Sequence, residues 1–383
     1  MLKLVKHFII FLKQPEFSAF YGFLPVYFIF TKFRTIKNSL KKPPVNIIFK
    51  EPKLLNSKDV NENILALNLS SYAGRTPVIP EVHLYELDDA IICPKWGTII
   101  DKEGFIILES HKTLDDVNNR SLLGKLKISS RKIKKLSGTY TTIYTEMGGG
   151  YGHFVIDHLP RLYALQFYRG EITILMPDTL MPVLKKLVDW VKPANCKVEY
   201  VNPNHNFQCS KVLLSPFTTI GGFGYHRPEI ASYIRACVKD KFAPLNTKWA
   251  GIYVTRRKAK YGNIIDEDKL ILELEKRNIK AVDLEDLSIE EQMSYFAHTP
   301  LICGSQGSGF ANLVFANKAT VIQILWKRET IPTIGLYDYG LSLAYGHHYI
   351  PLVQKHNGLL KDPLDLEIKE FIELIDKYIN SKL

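Results

Sequence analysis

Short apolar segments alternate with helical segments between residues 251 and 325, and this alternation constrains the fold more than any other feature of the sequence. Strands are predicted over Gly251–Val254, Lys280–Val282, Pro300–Cys303 and Thr320–Leu325. Helices are predicted between them, over Glu267–Lys276, Ile289–Ala297 and Phe310–Asn317. Strands that alternate with helices in this way form a mostly parallel sheet with right-handed connections. The fold class is therefore α/β.

A glycine-rich turn, Gly304-Ser305-Gln306-Gly307-Ser308-Gly309, joins the third of these strands to the helix that follows. Glycines let the backbone turn sharply and approach a ligand closely. The N-terminus of the next helix would then favour a phosphate or pyrophosphate. The same pattern is also ordinary where a strand simply joins a helix, so both interpretations stay open at this point.

A basic run, Thr255-Arg256-Arg257-Lys258, directly follows the first of these strands. Because parallel strands end on the same edge, Arg256 and Arg257 are expected beside the glycine turn, where open α/β sheets bind ligands. A guanidinium group that faces a helix N-terminus across a crevice suits a diphosphate. The alternative is a basic surface loop that contacts only water.

Three blocks of sequence share their order and spacing with a known family, and the likeness extends over roughly residues 82 to 324. The blocks are GGGYGHFVIDHLPRLYAL, IYVTRRKAKYGNIIDEDKL and LEDLSIEEQMSYFAHTPLICGSQGSGFANLVFANKATVIQIL. They resemble glycosyltransferase family 61. The resemblance implies a GT-B architecture of two Rossmann-like domains, and transfer of a sugar from a nucleotide-sugar donor with inversion.

The chain departs from the pattern of that family at three places. Gln306 stands where the family usually has histidine, and Gln323 stands where it usually has glutamate. The usual Arg-x-x-x-Asn-Glu after the arginine block is reduced here to Asn263-Ile264-Ile265-Asp266-Glu267. These departures bear on which donor the protein binds and on whether it is catalytically active.

A second glycine-rich loop, Gly148–His153, leads into a segment of helical period over Phe154–Tyr168, in which Pro160 marks either a kink or the real first turn. If residues 153 to 157 are helical, His153 and Asp157 share a face. An inverting transferase needs a carboxylate or imidazole that takes the proton of the acceptor hydroxyl. Asp157, held or tuned by His153, fits this role as general base. A structural hydrogen bond at a loop–helix junction and a pair of metal ligands remain as alternatives.

The other site residues are assigned from their positions in these blocks. Donor binding is assigned to Arg256, Arg257, Gly304, Ser305, Gln306, Gly307, Ser308, Gly309 and Asn312. Acceptor binding is assigned to Tyr151 and Arg161. Arg161 could instead pair with Asp157 or contact a phosphate.

The acidic run Asp266-Glu267-Asp268 matches the D-x-D spacing of metal-dependent transferases. It falls at the predicted start of a helix, where acids are favoured as caps and by the helix dipole. We prefer that interpretation, and no other pattern in the sequence indicates metal ligands. We therefore predict catalysis with neither a metal nor a cofactor, in which basic groups offset the charge of the leaving diphosphate.

Composition limits the class of protein and its partners. The chain has 383 residues, enough for two domains, and its 46% apolar content excludes disorder as the main state. The formal net charge of +11 favours an anionic partner, but no nucleic-acid-binding module is recognisable. The five cysteines are Cys93, Cys196, Cys209, Cys237 and Cys303. They are scattered and never paired as C-x-x-C, which is typical of buried side chains in a reducing compartment.

The N-terminal arm differs in character from the rest of the chain. Its apolar and aromatic runs, Phe8–Leu12 and Phe17–Phe30, fall short of the roughly 18 residues of a spanning helix. No cleavage pattern of a secretory signal follows them. Lysines surround both runs, which suits the interface of an anionic membrane. The alternative is an arm packed on the protein or on a partner subunit.

The chain is expected to divide into four parts. These are a membrane-associating arm over 1–45, an N-terminal acceptor-binding α/β domain over 46–241, a C-terminal nucleotide-sugar-binding Rossmann-like domain over 242–350, and a crossover segment over 351–383 whose final helix returns to the first domain. The N-terminal domain opens with a β-rich lead-in. Its strands are predicted over Asn46–Phe49, Ile64–Leu69, Val82–Glu86, Ala90–Cys93, Thr98–Ile100 and Phe105–Leu108.

These features together predict a cytoplasmic glycosyltransferase, peripheral on the inner face of the cell membrane, that acts in cell-surface polysaccharide synthesis. Its partners would be a nucleotide-sugar donor, a glycan or lipid-linked acceptor and the anionic membrane surface. The alternatives are an enzyme like a polysaccharide pyruvyltransferase, and a catalytically inactive membrane scaffold of the same fold. Gln306 and Gln323 are the residues that make the scaffold plausible.

Overall fold

The structure, a computed structural model, describes residues 33–34, 46–49, 53–54, 78–79, 81–111, 132–219, 223–245, 248–259, 262–328, 336–356 and 362–381. Its strands are β1 (Phe33–Arg34), β2 (Asn46–Phe49), β3 (Lys53–Leu54), β4 (Val78–Ile79), β5 (Val82–Cys93), β6 (Thr98–Ile100), β7 (Ile106–Ile107), β8 (Ile133–Thr141), β9 (Ile172–Pro177), β10 (Cys196–Val201), β11 (Asn206–Leu214), β12 (Gly251–Val254), β13 (Ile279–Val282), β14 (Leu301–Ser305), β15 (Thr320–Arg328) and β16 (His348–His356). Its longer α-helices are α1 (Pro182–Val191), α2 (Pro228–Val238), α3 (Glu267–Glu275), α4 (Ile289–His298), α5 (Tyr337–Tyr345) and α6 (Ile368–Asn380).

The first half of the chain forms a mixed sheet with the order β1-β7-β6-β5-β11-β8-β9-β10, and β2 pairs with β5. Strand β11 runs antiparallel to β5 and parallel to β8, and β8, β9 and β10 are parallel to one another. The expected Rossmann-like sheet is therefore parallel only on one side. The predicted strand over Ile64–Leu69 lies outside the described residues.

Strand β8 falls on a basic segment for which no strand was predicted. Its first residues, including Lys134 and Lys135, are exposed, and so is Ile133 between polar neighbours. The strand therefore lacks the alternation of buried and exposed side chains that usually identifies a strand. Only its end, at Thr141, is buried, and the chain leaves the sheet there toward the glycine-rich loop.

The second half of the chain forms a five-stranded, fully parallel sheet with the order β13-β12-β14-β15-β16. The alternation of strands and helices predicted over residues 251–325 is confirmed. The sequence did not predict the fifth strand, β16, which pairs along its whole length with β15. The strand order turns back between β12 and β14, and this position is the topological switch point of the sheet.

One cluster of buried apolar side chains joins the two halves. It includes Phe154 and Leu162 from the first half, and Ile252 and Phe310 from the second. The side chains between the two sheets therefore form one continuous core. Such packing resembles a domain interior and resists relative movement of the two halves.

The C-terminal helix α6 packs on the outer face of the parallel sheet. Phe371 on this helix contacts Tyr253 of β12, with ring centroids 6.3 Å apart. Asp376 accepts two hydrogen bonds from Arg277, at 2.6 and 2.8 Å. The prediction that this helix crosses back to the first domain is wrong, because its apolar side shares a core with β12 and α3.

Two further expectations concern the described residues. Cys93, Cys196, Cys209 and Cys303 are buried and form no disulfide, as expected, whereas Cys237 is only partly buried. Within these parts of the chain, no helix is long and apolar enough to cross a membrane. The predicted N-terminal arm lies outside the described residues except for Phe33–Arg34, which pairs with β7.

A glycine after β5 tests the packing beneath the glycine-rich loop. Gly97 has φ +66°, and a Cβ there would overlap the carbonyl oxygen of Tyr144. We expect Gly97→Ala to lower the free energy of unfolding by more than the conformational cost of about 1–3 kcal/mol. Gly104→Ala is the matched control, because Gly104 has φ +83° with open space around it. Equal losses for both variants in urea unfolding would contradict this account.

Candidate functional site

The site begins in a helical segment that changes its hydrogen bonding from turn to turn. Tyr151–His153 is an α-turn, Phe154–His158 a π-turn and Leu159–Arg161 a 3-10 turn. Pro160 has no backbone N–H and its ring crowds the preceding turn, so a regular α-helix cannot continue through it. The segment predicted to be helical from Phe154 is helical as far as Leu165, with the interruption expected at Pro160. π-turns of this kind are frequent at functional sites.

The histidine and aspartate of this segment contact each other. Nδ1 of His153 lies 3.1 Å from Oδ2 of Asp157, and the hydroxyl of Thr219 donates to Oδ1 of Asp157 at 2.8 Å. The side chain of His153 is 42% exposed and that of Asp157 only 1%. Because an ionised carboxylate can only accept, Nδ1 carries the hydrogen and Nε2 keeps its lone pair. The group that can reach a substrate proton is the imidazole, with the carboxylate behind it.

A second histidine, His158, donates a hydrogen bond to the backbone carbonyl of His153. His158 is buried, with Nδ1 at 3.0 Å from the carbonyl oxygen of His153 and Nε2 at 2.8 Å from the hydroxyl of Thr145. Since the carbonyl must accept, Nδ1 of His158 donates and Nε2 accepts from Thr145. His158 was not predicted as a site residue, because its only sequence signal is its position after Asp157.

Arg161 does not reach a substrate. It is fully buried, and it donates to the carbonyl oxygens of Ser215 at 2.7 Å and Ile143 at 3.0 Å. Its guanidinium also lies over the ring of Phe217, 4.4 Å from the centroid. Burial lowers the pKa of Arg161 to about 9, so the group keeps its charge at neutral pH. The assignment of Arg161 to the acceptor is therefore wrong, and its partners are backbone carbonyls instead of Asp157 or a phosphate.

Tyr151 and Asn312 were assigned to different substrates, but they bind each other. The hydroxyl of Tyr151 donates to Oδ1 of Asn312, and Nδ2 of Asn312 donates to Oε1 of Gln292 at 3.0 Å. Asn312 is fully buried, so it cannot contact a donor directly. This chain of hydrogen bonds instead fixes the His153 segment to the helix after the glycine turn.

The glycine turn is shorter than its sequence indicated. Gly304 and Ser305 belong to β14, and the hydroxyl of Ser305 accepts a hydrogen bond from the indole of Trp326 at 2.6 Å. The helix predicted over Phe310–Asn317 is a 3-10 helix of seven residues, Ser308–Val314. So short a 3-10 helix aligns few peptide dipoles, which weakens the argument for anion binding by its N-terminus.

The arginine block does meet the glycine turn. Arg256 donates to the carbonyl oxygen of Gln306 at 2.9 Å and to that of Gly262 at 2.8 Å. A Cβ on Gly307 would overlap Nη1 of Arg256, so this turn requires a glycine for close approach. Burial lowers the pKa of Arg256, and the carboxylate of Glu267 opposes that shift.

Arg257 has a different environment from its neighbour. It is exposed, and its Nη1 pairs with Oδ1 of Asp268 at 3.4 Å, where both side chains face solvent. An exposed pair of this kind is worth little, so the guanidinium can turn to another anion at small cost. Of the two arginines, Arg257 is the one that can rearrange to meet a ligand.

The two parts of the site come together at the switch point of the parallel sheet. Arg256 follows β12 and Gln306 follows β14, so the hydrogen bond between them spans the place where ligands bind in such sheets. The His153 segment packs directly on the same turn, because a Cβ on Gly152 would lie 3.2 Å from Cα of Ser308. The imidazole, the glycine turn and the arginine block therefore form one site.

The acidic run at the start of α3 does not converge on a common point. Asp266 pairs with Lys269, and Asp268 with Arg257. Glu267 is buried and accepts from the hydroxyl of Tyr253 at 2.9 Å. The prediction that these acids start a helix is confirmed, although Asp266 makes no side-chain cap. No cluster of metal-binding side chains occurs within the described ranges.

Gln323 lies in the core on β15, where it is the register partner of Gly304 at the start of the glycine turn. Its amide nitrogen donates to Asp338 at 2.7 Å, and its oxygen accepts from the hydroxyl of Tyr349 at 2.6 Å. Burial raises the pKa of Asp338 to about 6, and the hydrogen bond from Gln323 opposes that rise. The departure from the family pattern at position 323 therefore places an amide in a buried network directly beside the strand that leads into the glycine turn.

Part of the chain matches a known protein family. Residues 151–323 match the family model described as Glycosyltransferase 61. No curated protein matches the chain. The matched stretch begins at Tyr151, includes His153, Asp157 and the arginine block, and ends at Gln323, so it contains the whole candidate site. This match supports glycosyltransferase family 61 and indicates that the protein is a glycosyltransferase.

Proposed function

We propose that the protein transfers a sugar, with inversion, from a nucleotide-sugar donor to a hydroxyl group of a glycan or lipid-linked acceptor in cell-surface polysaccharide synthesis. The observation that carries the proposal is the exposed imidazole of His153, backed by the buried carboxylate of Asp157, on a segment that packs against the turn bound by Arg256. In a GT-B arrangement the parallel-sheet half would hold the donor. The mixed-sheet half would present the acceptor.

The proposed chemistry divides the work of the general base between two residues. Nε2 of His153 removes the proton of the acceptor hydroxyl while that oxygen attacks the anomeric carbon. The bond from the anomeric carbon to the diphosphate oxygen breaks on the opposite face, and the nucleoside diphosphate leaves. Asp157 orients the imidazole and stabilises the imidazolium that forms, as the acid of a catalytic triad does. The sequence favoured Asp157 as the proton acceptor, whereas its burial favours this supporting role.

The donor half contributes positive charge and close backbone approach. Arg257 and the turn Gln306-Gly307-Ser308 would bind the diphosphate, and Arg256 would hold the turn in place. Cationic side chains placed where charge develops stabilise the leaving group without a bound metal. We therefore also propose that turnover is independent of divalent cations, so a chelator should leave it unchanged.

The proposed setting is the inner face of the cell membrane. It is supported by the lysine-rich aromatic arm and by cysteines that form no disulfide within the described residues, which suits a reducing compartment. A panel of UDP-, GDP- and dTDP-linked sugars tests the activity, first by thermal shift and then by release of nucleoside diphosphate. Phosphate release from phosphoenolpyruvate would favour a pyruvyltransferase instead. Binding without turnover of any compound would favour the scaffold.

Substitution at the imidazole and carboxylate tests the division of work. We expect His153→Gln and Asp157→Asn each to lower turnover about 10²–10⁴-fold, with donor affinity near that of the wild type. The amide of Asp157→Asn can donate to Nδ1 and would favour the wrong tautomer of His153. Added imidazole should partly restore the turnover of His153→Ala and leave Asp157→Asn unchanged.

The opposite pattern of activity losses would reverse the assignment of the two roles. Near-normal turnover of folded His153→Gln, with a large loss in Asp157→Asn, would return proton acceptance to Asp157. Activity losses that only follow the folded fraction of each variant would make the pair structural.

Arg257 tests the donor site. We expect Arg257→Ala to weaken nucleoside diphosphate binding about tenfold to a hundredfold, because one hydrogen bond to a charged group is worth about 1.5–3 kcal/mol. The melting temperature should change little, since its ion pair is exposed. Lys269→Ala is the control for net charge, because it removes an exposed cation that pairs with Asp266 at the start of α3. Equal affinities of Arg257→Ala and Lys269→Ala in calorimetry would refute the assignment.

The arm provides the test of membrane association. Removal of residues 1–30 leaves the pairing of Phe33–Arg34 with β7 intact. We expect the truncated protein to lose sedimentation with vesicles that contain phosphatidylglycerol, and to keep the melting temperature of the full chain. Unchanged sedimentation at low and high salt would exclude the arm as the membrane contact.

A further inference from the structure

We propose that Thr219 is a positioning residue for the proton acceptor, and that its hydroxyl fixes the Asp157 carboxylate so that His153 keeps its hydrogen on Nδ1. The consequence for catalysis rests on the proposed role of His153. The positioning itself can be measured without a substrate.

The geometry gives each carboxylate oxygen a separate task. Oδ1 of Asp157 accepts from Thr219 at 2.8 Å, and Oδ2 faces Nδ1 of His153 at 3.1 Å. Rotation of the carboxylate would therefore break the hydrogen bond from Thr219. A free histidine side chain prefers its hydrogen on Nε2, so the aligned carboxylate is what holds the other tautomer in place.

The segment that carries Thr219 is itself fastened to the catalytic helix. Ser215 donates through its hydroxyl to the carbonyl oxygen of Arg161 at 2.6 Å, and Arg161 donates back to the carbonyl oxygen of Ser215 at 2.7 Å. Arg161 lies four residues after Asp157, and Ser215 four residues before Thr219. Residues 215–219, which we call the clamp segment, therefore run antiparallel to residues 157–161 and bind them at both ends.

An aromatic ring fills the middle of the clamp segment. Phe217 contacts the guanidinium of Arg161 at 4.4 Å and the ring of His158 edge-on at 5.3 Å. The buried Arg161 therefore has a structural role in place of the predicted contact with the acceptor. It holds the clamp segment at the position from which Thr219 reaches the carboxylate.

The neighbouring threonine provides a matched comparison. Thr218 is also buried, but within the described chain its hydroxyl has no hydrogen-bond partner. Replacement of either threonine by valine exchanges a hydroxyl for a methyl group of similar size. Only the change at position 219 removes a hydrogen bond from Asp157.

The test compares Thr219→Val, Thr219→Ser and Thr218→Val by nitrogen NMR of the full chain labelled at histidine, with His153→Gln to assign the signal. We expect the ratio of the Nδ1–H to the Nε2–H tautomer of His153 to fall about tenfold in Thr219→Val, because a hydrogen bond to a charged group is lost. Thr219→Ser should restore the ratio, and Thr218→Val should leave it unchanged. If Thr219→Val does not fold, Thr219→Ala takes its place in the test, because it removes the same hydroxyl.

Turnover adds a second readout, with the nucleotide sugar of the panel that gives the largest thermal shift as the probe. We expect kcat to fall about tenfold in Thr219→Val with KM for the donor unchanged, and to recover in Thr219→Ser. A wild-type tautomer ratio in folded Thr219→Val, or an equal change in Thr218→Val, would overturn the proposal. A changed tautomer with unchanged turnover would keep the positioning and refute the role of His153 as base.

Discussion

A buried guanidinium holds the candidate site together. Among the described residues Arg161 has no carboxylate partner, and its burial accounts for its lowered pKa. Removal of such a cation from water costs several kcal/mol, so the structure must offset this cost with hydrogen bonds. The carbonyls of Ile143 and Ser215 and the face of Phe217 provide part of that compensation, while Nη2 is buried without a hydrogen-bond partner among the described residues. The same contacts connect the exit of β8, the clamp segment and the helix of Asp157, so the charge organises three separate stretches of chain.

Packing between the two halves fixes the position of the His153 imidazole relative to the glycine turn. Tyr151, Asn312 and Gln292 form a continuous chain of hydrogen bonds, and Gly152 allows the backbone of Ser308 to approach. A shared apolar core surrounds these contacts. Domains that meet through a large apolar interface do not move freely, in contrast to those joined through polar contacts. The separation of the proton acceptor and the glycine turn is therefore fixed by the core.

The sequence predicted what depends on local pattern and on topology. Alternation of strands and helices was enough to place Arg256 and Gln306 together, since parallel strands end on one edge. The spacing of His153 and Asp157 was enough to predict their contact, even though the backbone between them is a π-turn. Burial was not predictable from residue type, so Arg161 was wrongly given to a substrate. Thr219 was missed for a related reason, because it lies 62 residues from Asp157 and no local pattern links the two.

Charge balance in the core explains one of the departures from the family pattern. Asp338 is buried at the start of α5, directly after Tyr337, whose ring meets that of His153 at 5.5 Å. A glutamate at position 323 would place a second carboxylate against Asp338, and two such groups cannot both stay ionised in a buried site. Gln323 instead donates to Asp338 and accepts from Tyr349, which satisfies both ends of its amide. The neutral residue therefore avoids a second carboxylate beside Asp338, at a position that adjoins Gly304 and the contact of Tyr337 with His153.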